Sequence, residues 1–386
     1  MPVSTPAITF TRDRPTWFVY LMLATFATYL YGLSSALPTL RAELGVSQAV
    51  AGLHGTGMAV GSILTGLSMP WLTRRHGRRF AVWLGIAGMN AGMVLVGFGP
   101  TLPFTLAGYS IAGGFAAIAL YVSMAALSDH HGAAGPASIS EANAVGVLAG
   151  IPATYGFSVL AESVLGWRAA MFIPVALTAV LVFAMGRVWF PEVPAGRSVT
   201  RERRPFGWRF HFAGAVLLCC VAVEFVFNLW AAELFSQRTG LSLAEAATGL
   251  TAMLAGIAAG RFAGAALTLR YPVWQVFLGT MAVTLAGWAV FWSTTAVVVG
   301  YVGLAVSGAG IGMLFPLGLS RMIETSGGRP DQAGGIASVW AGVGSGTGPF
   351  VLGALGDAFG THAAFLLAPA LLGLAAGGLL SSRSSF

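Results

Sequence analysis

Runs of about twenty apolar residues, rich in Gly and Ala, recur along this chain of 386 residues with short polar breaks between them. A segment of that length spans the hydrocarbon core of a bilayer only as a helix, because lipid offers no partner to an open backbone. Charged residues make up 9% of the chain and hydrophobic ones 56%, where a soluble domain carries about a quarter charged. A membrane β-barrel would show alternating segments of about ten residues instead. The expected fold class is therefore an all-α integral membrane protein. Twelve spans follow, at roughly 16–40, 49–73, 80–99, 102–127, 137–161, 167–189, 210–235, 244–269, 273–294, 296–321, 332–357 and 361–381.

All 20 basic residues are Arg, and with 13 acids the net charge is +7. With the N-terminus inside, sixteen Arg fall on the inner side, among them Arg74, Arg75, Arg78, Arg79, Arg197, Arg201, Arg203 and Arg204. The outer side holds Arg41, Arg168 and Arg238. This bias places both termini in the cytoplasm and accounts for the charge by anionic lipid, so no nucleic-acid partner is expected. Absence of Lys and abundance of Gly, Ala and Arg suggest a GC-rich bacterial genome, hence the inner membrane as location. The adjacent Cys219 and Cys220 offer no disulfide framework. The first apolar run is too long for a signal peptide and is expected to stay as span 1.

The two halves of the chain repeat at an offset near 195 residues. Gly45-Val46-Ser47 matches Gly240-Leu241-Ser242, and Met58 to Gly61 matches Met253 to Gly256. Gly146 to Gly156 resembles Gly342 to Gly353, and Gly166 to Met171 matches Gly360 to Phe365. The polar stretch 190–208 divides residues 1–189 from 209–386, six spans from six. Parallel repeats of this kind place a binding site near mid-membrane between the halves.

Over its whole length the chain resembles the major facilitator superfamily: twelve spans, a basic middle loop, and two six-helix bundles in pseudo-twofold arrangement. Pro70 to Arg79 (PWLTRRHGRR) is similar to that family's loop signature after span 2. Gly77, Arg78 and Arg79 fit, while Arg74 stands where the family has an Asp that helps latch the inner gate. Asp129, Glu141 or a helix end are the substitutes to look for. The resemblance implies a secondary transporter with spans 1, 4, 7 and 10 around a central cavity. Its partners are then a small-molecule substrate, protons and the bilayer, with no cofactor. One chain holds both halves, so a monomer suffices. Gly344 to Gly353 (GSGTGPFVLG) resembles the family's antiporter signature, which belongs in span 5; here the better copy is in span 11, around Pro349, and span 5 carries Pro152.

Span 7 contains Glu224 and Asn228, four residues apart and so on one helix face. An acid in mid-membrane must look into protein or a cavity, and is a functional residue by default. Glu224 is the expected coupling acid, with a structural hydrogen bond as the alternative; Glu141 in span 5 is expected foremost as a structural part of the gate between spans 4 and 5, with proton coupling as its other role. Arg261 interrupts span 8 between glycines and resembles the Gly-Arg element of monocarboxylate carriers and related families, which implies anion handling or gating. The alternative is an Arg that snorkels or caps a neighbouring helix. Tyr29, Tyr121, Phe227 and Phe315 are expected cavity walls, together with Tyr31, Ser34 and Ser35. Asn143 and Asp129 are expected at the gate between spans 4 and 5. Asp129, His130 and His131 have the pattern of a solvated loop, without a third metal ligand at local spacing. Export of amphipathic compounds suits an aromatic, sparsely charged wall; uptake or exchange of an organic anion held by Arg261 is the rival. A membrane enzyme would cluster acids, His or Cys at one face, and the scatter here argues against one. A receptor would bind without flux.

Overall fold

The computed structural model describes residues 10–46, 48–192, 205–241, 245, 246 and 248–381. Ser47, Ser242, Arg197, Arg201, Arg203, Arg204 and Arg383 lie outside the described residues, as do the side chains of Ser34, Ser35, Arg41 and Glu162. The described chain is helical, with no strand among those residues.

The elements are α1 (Arg14–Leu44), α2 (Gln48–Phe98), α3 (Leu102–His131), α4 (Gly135–Glu162), α5 (Gly166–Ala170), α6 (Ile173–Met185) and α7 (Trp208–Thr239). Then come α8 (Gly249–Thr268), α9 (Val273–Ser293), α10 (Val297–Glu324), α11 (Pro330–Phe359), α12 (Thr361–Ala364) and α13 (Leu367–Ser381). α2 carries two of the expected spans, 48–76 and 78–98, broken at Gly77, whose φ of 81° and ψ of 166° are not helical. Nine stretches among the described residues are long and apolar enough to cross a membrane. Leu53–Phe98 and Leu102–Pro152 are each long enough to cross twice, and the Gly-rich α11 supplies the twelfth crossing. Apolar side chains such as Phe183 (96% exposed) and Phe98 (72%) point outward, as lipid contact requires.

α1 packs on α4 within the first bundle as α7 packs on α11 within the second. The bundles meet along two seams, α2 with α11 and α4 with α8. The repeat relates spans 2 to 8 and 5 to 11, so these seams are images of one another. Both lie toward one face of the bundle, the face where α1, α4, α7 and α11 begin; it is called proximal below. On the opposite, distal face Glu43 at the end of α1 accepts from Trp167 Nε1 at 2.8 Å and from Arg168 Nη2 at 2.6 Å. The Arg168 bond, partly offset by burial, holds the Glu43 carboxyl below its ordinary value. This clamp therefore stabilises above the ordinary carboxylate range and is lost as pH falls through the lowered value; its exposure makes the effect small.

α8 and α10 touch backbone to backbone. A Cβ at Gly260 would lie 1.9 Å from the Ala309 carbonyl oxygen, and one at Gly256 would lie 2.0 Å from that of Ala305. Only glycines spaced by four allow this approach, and it carries Arg261 up to the backbone of α10. Gly260→Leu is therefore expected to force the two helices apart at a cost of about 1–3 kcal/mol. A thermal melt of the detergent-solubilised protein checks this, and an unchanged midpoint would show that the helices are not in contact.

Candidate functional site at the bundle interface

Arg261 lies well inside α8 and is buried, with 7% of its surface exposed. Its Nε donates to the Gly312 carbonyl of α10 at 2.9 Å, and its Nη1 donates to the Asn143 carbonyl of α4, in the other bundle, at 3.2 Å. The Ser140 hydroxyl of α4 donates back to the Arg261 carbonyl at 2.8 Å. Nη2 faces Glu224 of α7 at 4.0 Å, an ion pair too long for a hydrogen bond. One guanidinium thus joins three helices of the second bundle to one of the first. Asn143 contributes its carbonyl, while its side-chain amide donates to Ile139 within α4.

Tyr31 lies close enough to interact electrostatically with Arg261 and Glu224. It lines a narrow cleft between the bundles with Val147, Gly150, Ile151 and Leu254. The cleft holds about 10 Å³, at the threshold for a single water. Asn228 is half-buried one turn beyond Glu224. Tyr121 and Phe315 face each other across the bundles with ring centroids 6.3 Å apart.

Tyr29 and Phe227 are not brought to this group. Tyr29 is 2% exposed, in an apolar cluster of the first bundle with Leu33 and Met89. Phe227 is fully buried in the second bundle against Phe291 and Phe365. Glu141 also stands apart, at the proximal face, where Arg12 Nε donates to it at 2.6 Å. Pro152 is exposed on α4. The Pro349 carbonyl accepts from Trp230 Nε1 at 3.0 Å, tying α11 to α7.

A second polar group closes the proximal face. Arg78, with no exposed side-chain surface, donates from Nη2 to Asp129 of α3 at 2.7 Å. It also grips Asp331 of α11 in bidentate fashion, Nε to Oδ1 and Nη2 to Oδ2, both 2.9 Å. The fork matches the carboxylate plane and is among the stronger protein hydrogen-bonded pairs. Glu192 accepts from the backbone N–H of Arg78 at 2.7 Å and of Arg79 at 3.0 Å. The Arg79 side chain reaches the Gly186 carbonyl at 2.8 Å. Gly77 makes the turn possible, since its φ is positive and a Cβ would press to 3.2 Å on the Glu192 carboxylate. Arg74 is exposed beside this group. Asp331 and Glu192 do not stand out in the sequence. Asp331 has one local signal, its place in the first turn of α11 after Pro330, where the helix dipole favours an acid.

Farther along the same seam the Ser338 hydroxyl of α11 donates to the Ser62 carbonyl of α2 at 3.3 Å. Asp331→Asn removes the charge that holds α11 on Arg78. It is expected to lower the melting temperature and raise alkylation of a cysteine introduced at Ser338 by several-fold. Equal labelling in both proteins would mean that this pair does not hold the seam.

Residues 17–235 match the sequence pattern described as Major Facilitator Superfamily. No curated protein sequence matches the chain. Among solved structures, the E. coli fucose:proton symporter FucP superposes with a TM-score of 0.81 at 16% identity, covering 96% of this chain and 99% of that one. The human organic anion transporter TETRAN gives 0.81 at 15% identity, covering 96% and 100%. The proton:xylose symporter XylE gives 0.76 at 14% identity, covering 95% of each. At these identities the likeness is one of fold.

Proposed function

Because the chain belongs to the Major Facilitator Superfamily, we propose that it is a proton-linked secondary transporter of a small organic anion. It rocks bundle 1–189 against bundle 209–386 in a bacterial cytoplasmic membrane, with both termini and the linker 190–208 inside. The orientation rests on the Arg bias of the loops. The observation that carries the substrate class is Arg261, a buried cation at the interface whose Nη2 lies 4.0 Å from Glu224 without a direct bond.

The chemistry follows from charge balance. With Glu224 ionised, Arg261 is compensated. A carboxylate arriving at Arg261 then places two anions about one cation, and a proton on Glu224 relieves the repulsion. Unit charges about 4 Å apart interact by about 4 kcal/mol at an effective dielectric constant of about 20, or ~1,000-fold in affinity. Proton and anion therefore bind together. Arg261 also holds the α4–α8 seam through Asn143 and Ser140, so recharging it acts on the gate. The proximal latch at Arg78 is then the cytoplasmic one, and the bundles part toward the outside.

Efflux of an amphipathic compound is the second reading. It draws on Tyr121 and Phe315, which meet across the bundles. It loses two expected walls, because Tyr29 and Phe227 are packed inside their own bundles.

The test is uptake of a panel of small carboxylates into proteoliposomes, with and without a pH gradient. Wild type accumulates one of them when the outside is acidic. Glu224→Gln keeps downhill exchange and loses accumulation. Arg261→Lys loses both by tenfold or more, since an ammonium lacks the planar fork. Wild-type rates in Arg261→Lys, with the protein folded, would overturn the anion assignment.

A further inference from the structure

The sequence places His130 and His131 at the end of α3 with no third ligand nearby in the chain. The fold supplies one from 117 residues away. Asp13, just ahead of α1, lies against both histidines at the proximal face. His130 Nε2 and Asp13 Oδ2 are 2.6 Å apart. His131 Nε2 is 2.8 Å from the Thr16 hydroxyl, which itself donates to Asp13 Oδ1 at 2.6 Å. One ligand atom from each of Asp13, His130 and His131 fits within 4.8 Å of the other two, and all three residues are half-buried.

We propose that Asp13, His130 and His131 form a binding site for a divalent transition-metal ion of the zinc class. Two imidazoles and one carboxylate are the donor set that borderline ions such as Zn²⁺ and Co²⁺ take, with water completing the coordination. Ligand atoms about 2.0–2.1 Å from a tetrahedral ion are about 3.4 Å from one another. The widest pair therefore closes by up to about 1.4 Å and the His130–Asp13 pair, now 2.6 Å apart, opens by about 0.8 Å, which side-chain rotation supplies. Hydrogen bonding among the second partners is already arranged. Thr16 steers the Asp13 carboxylate, and Phe10 packs edge-on against His131 with centroids 4.9 Å apart. Arg12, the residue before Asp13, is paired with Glu141 at 2.6 Å, which offsets its charge toward an incoming ion.

The site ties the start of α1 to the end of α3. Asp129, the residue before His130, holds Arg78 in the proximal latch. The metal site is therefore built beside the element that joins the bundles, and apart from Arg261 and Glu224. It does not depend on the transport reading above.

The experiment is titration of Co²⁺ and Zn²⁺ into full-length, tag-free protein in detergent at pH 7.5, followed by calorimetry and by cobalt d–d absorption. The expected result is saturable binding of one ion per chain and a metal-dependent rise in melting temperature. His130→Ala and His131→Ala each weaken binding at least tenfold, and Asp13→Asn weakens it as well. Binding weakens as pH falls, because protons compete with the metal for its ligands. Metal-free melting curves of the variants report whether they fold. Absence of saturable binding to wild type, or unchanged affinity in folded His130→Ala and His131→Ala, would overturn the proposal and leave a hydrogen-bonded brace.

Discussion

A guanidinium cannot give up its proton inside a protein and carries five N–H groups that need acceptors. At membrane depth water is scarce, so wherever Arg261 sits, the surrounding helices must be arranged to serve it. Two backbone carbonyls, one from each bundle, accept from it here, and one carboxylate faces it at 4.0 Å to balance its charge. The close approach of α8 to α10 supplies the Gly312 carbonyl. The α4–α8 seam supplies the Asn143 carbonyl. The midpoint of α7 supplies the charge. Any movement that separates the bundles at this level must find new partners for Arg261. Charge at the site and contact between bundles are thus one physical problem.

The proximal face repeats this solution with different residues. Arg78 is as deeply buried as Arg261 but is met by two full carboxylates, Asp129 from its own bundle and Asp331 from the other. Removing one partner of a buried pair is costly because the remaining charge is stranded. Arg78 keeps Asp129 when Asp331 departs, so the latch can open without leaving a bare cation. Arg261 has a comparable reserve in Glu224. Each cation has one carboxylate partner within its own bundle and another acceptor across the seam, so the charged interface can part without leaving either cation bare.

The fold was legible because lipid forces it: only runs of about twenty apolar residues can span, and the offset between halves implies the two related seams. Gly77, Arg78 and Arg79 stand out through their spacing, and Glu224 and Arg261 through their charge. Which apolar residues face the interface was not legible. In helices apolar on every side, such as α1 and α7, hydrophobicity sets no rotational phase, and Tyr29 and Phe227 turn into their bundles. Asp331 was hidden for another reason. It meets Arg78 across 253 residues, and no local pattern marks a partner in the other half. Asp13 is the same case, a polar residue in a short leading segment whose neighbours are brought by the fold.

If Glu224 and a bound anion share Arg261, binding one negative charge recruits one proton. The direct measurement is the pH change in weakly buffered detergent solution when a transported carboxylate is added to the purified protein. Wild type is expected to take up as much as one proton per chain, and Glu224→Gln none. Proton release by wild type, or equal uptake in both proteins, would contradict it.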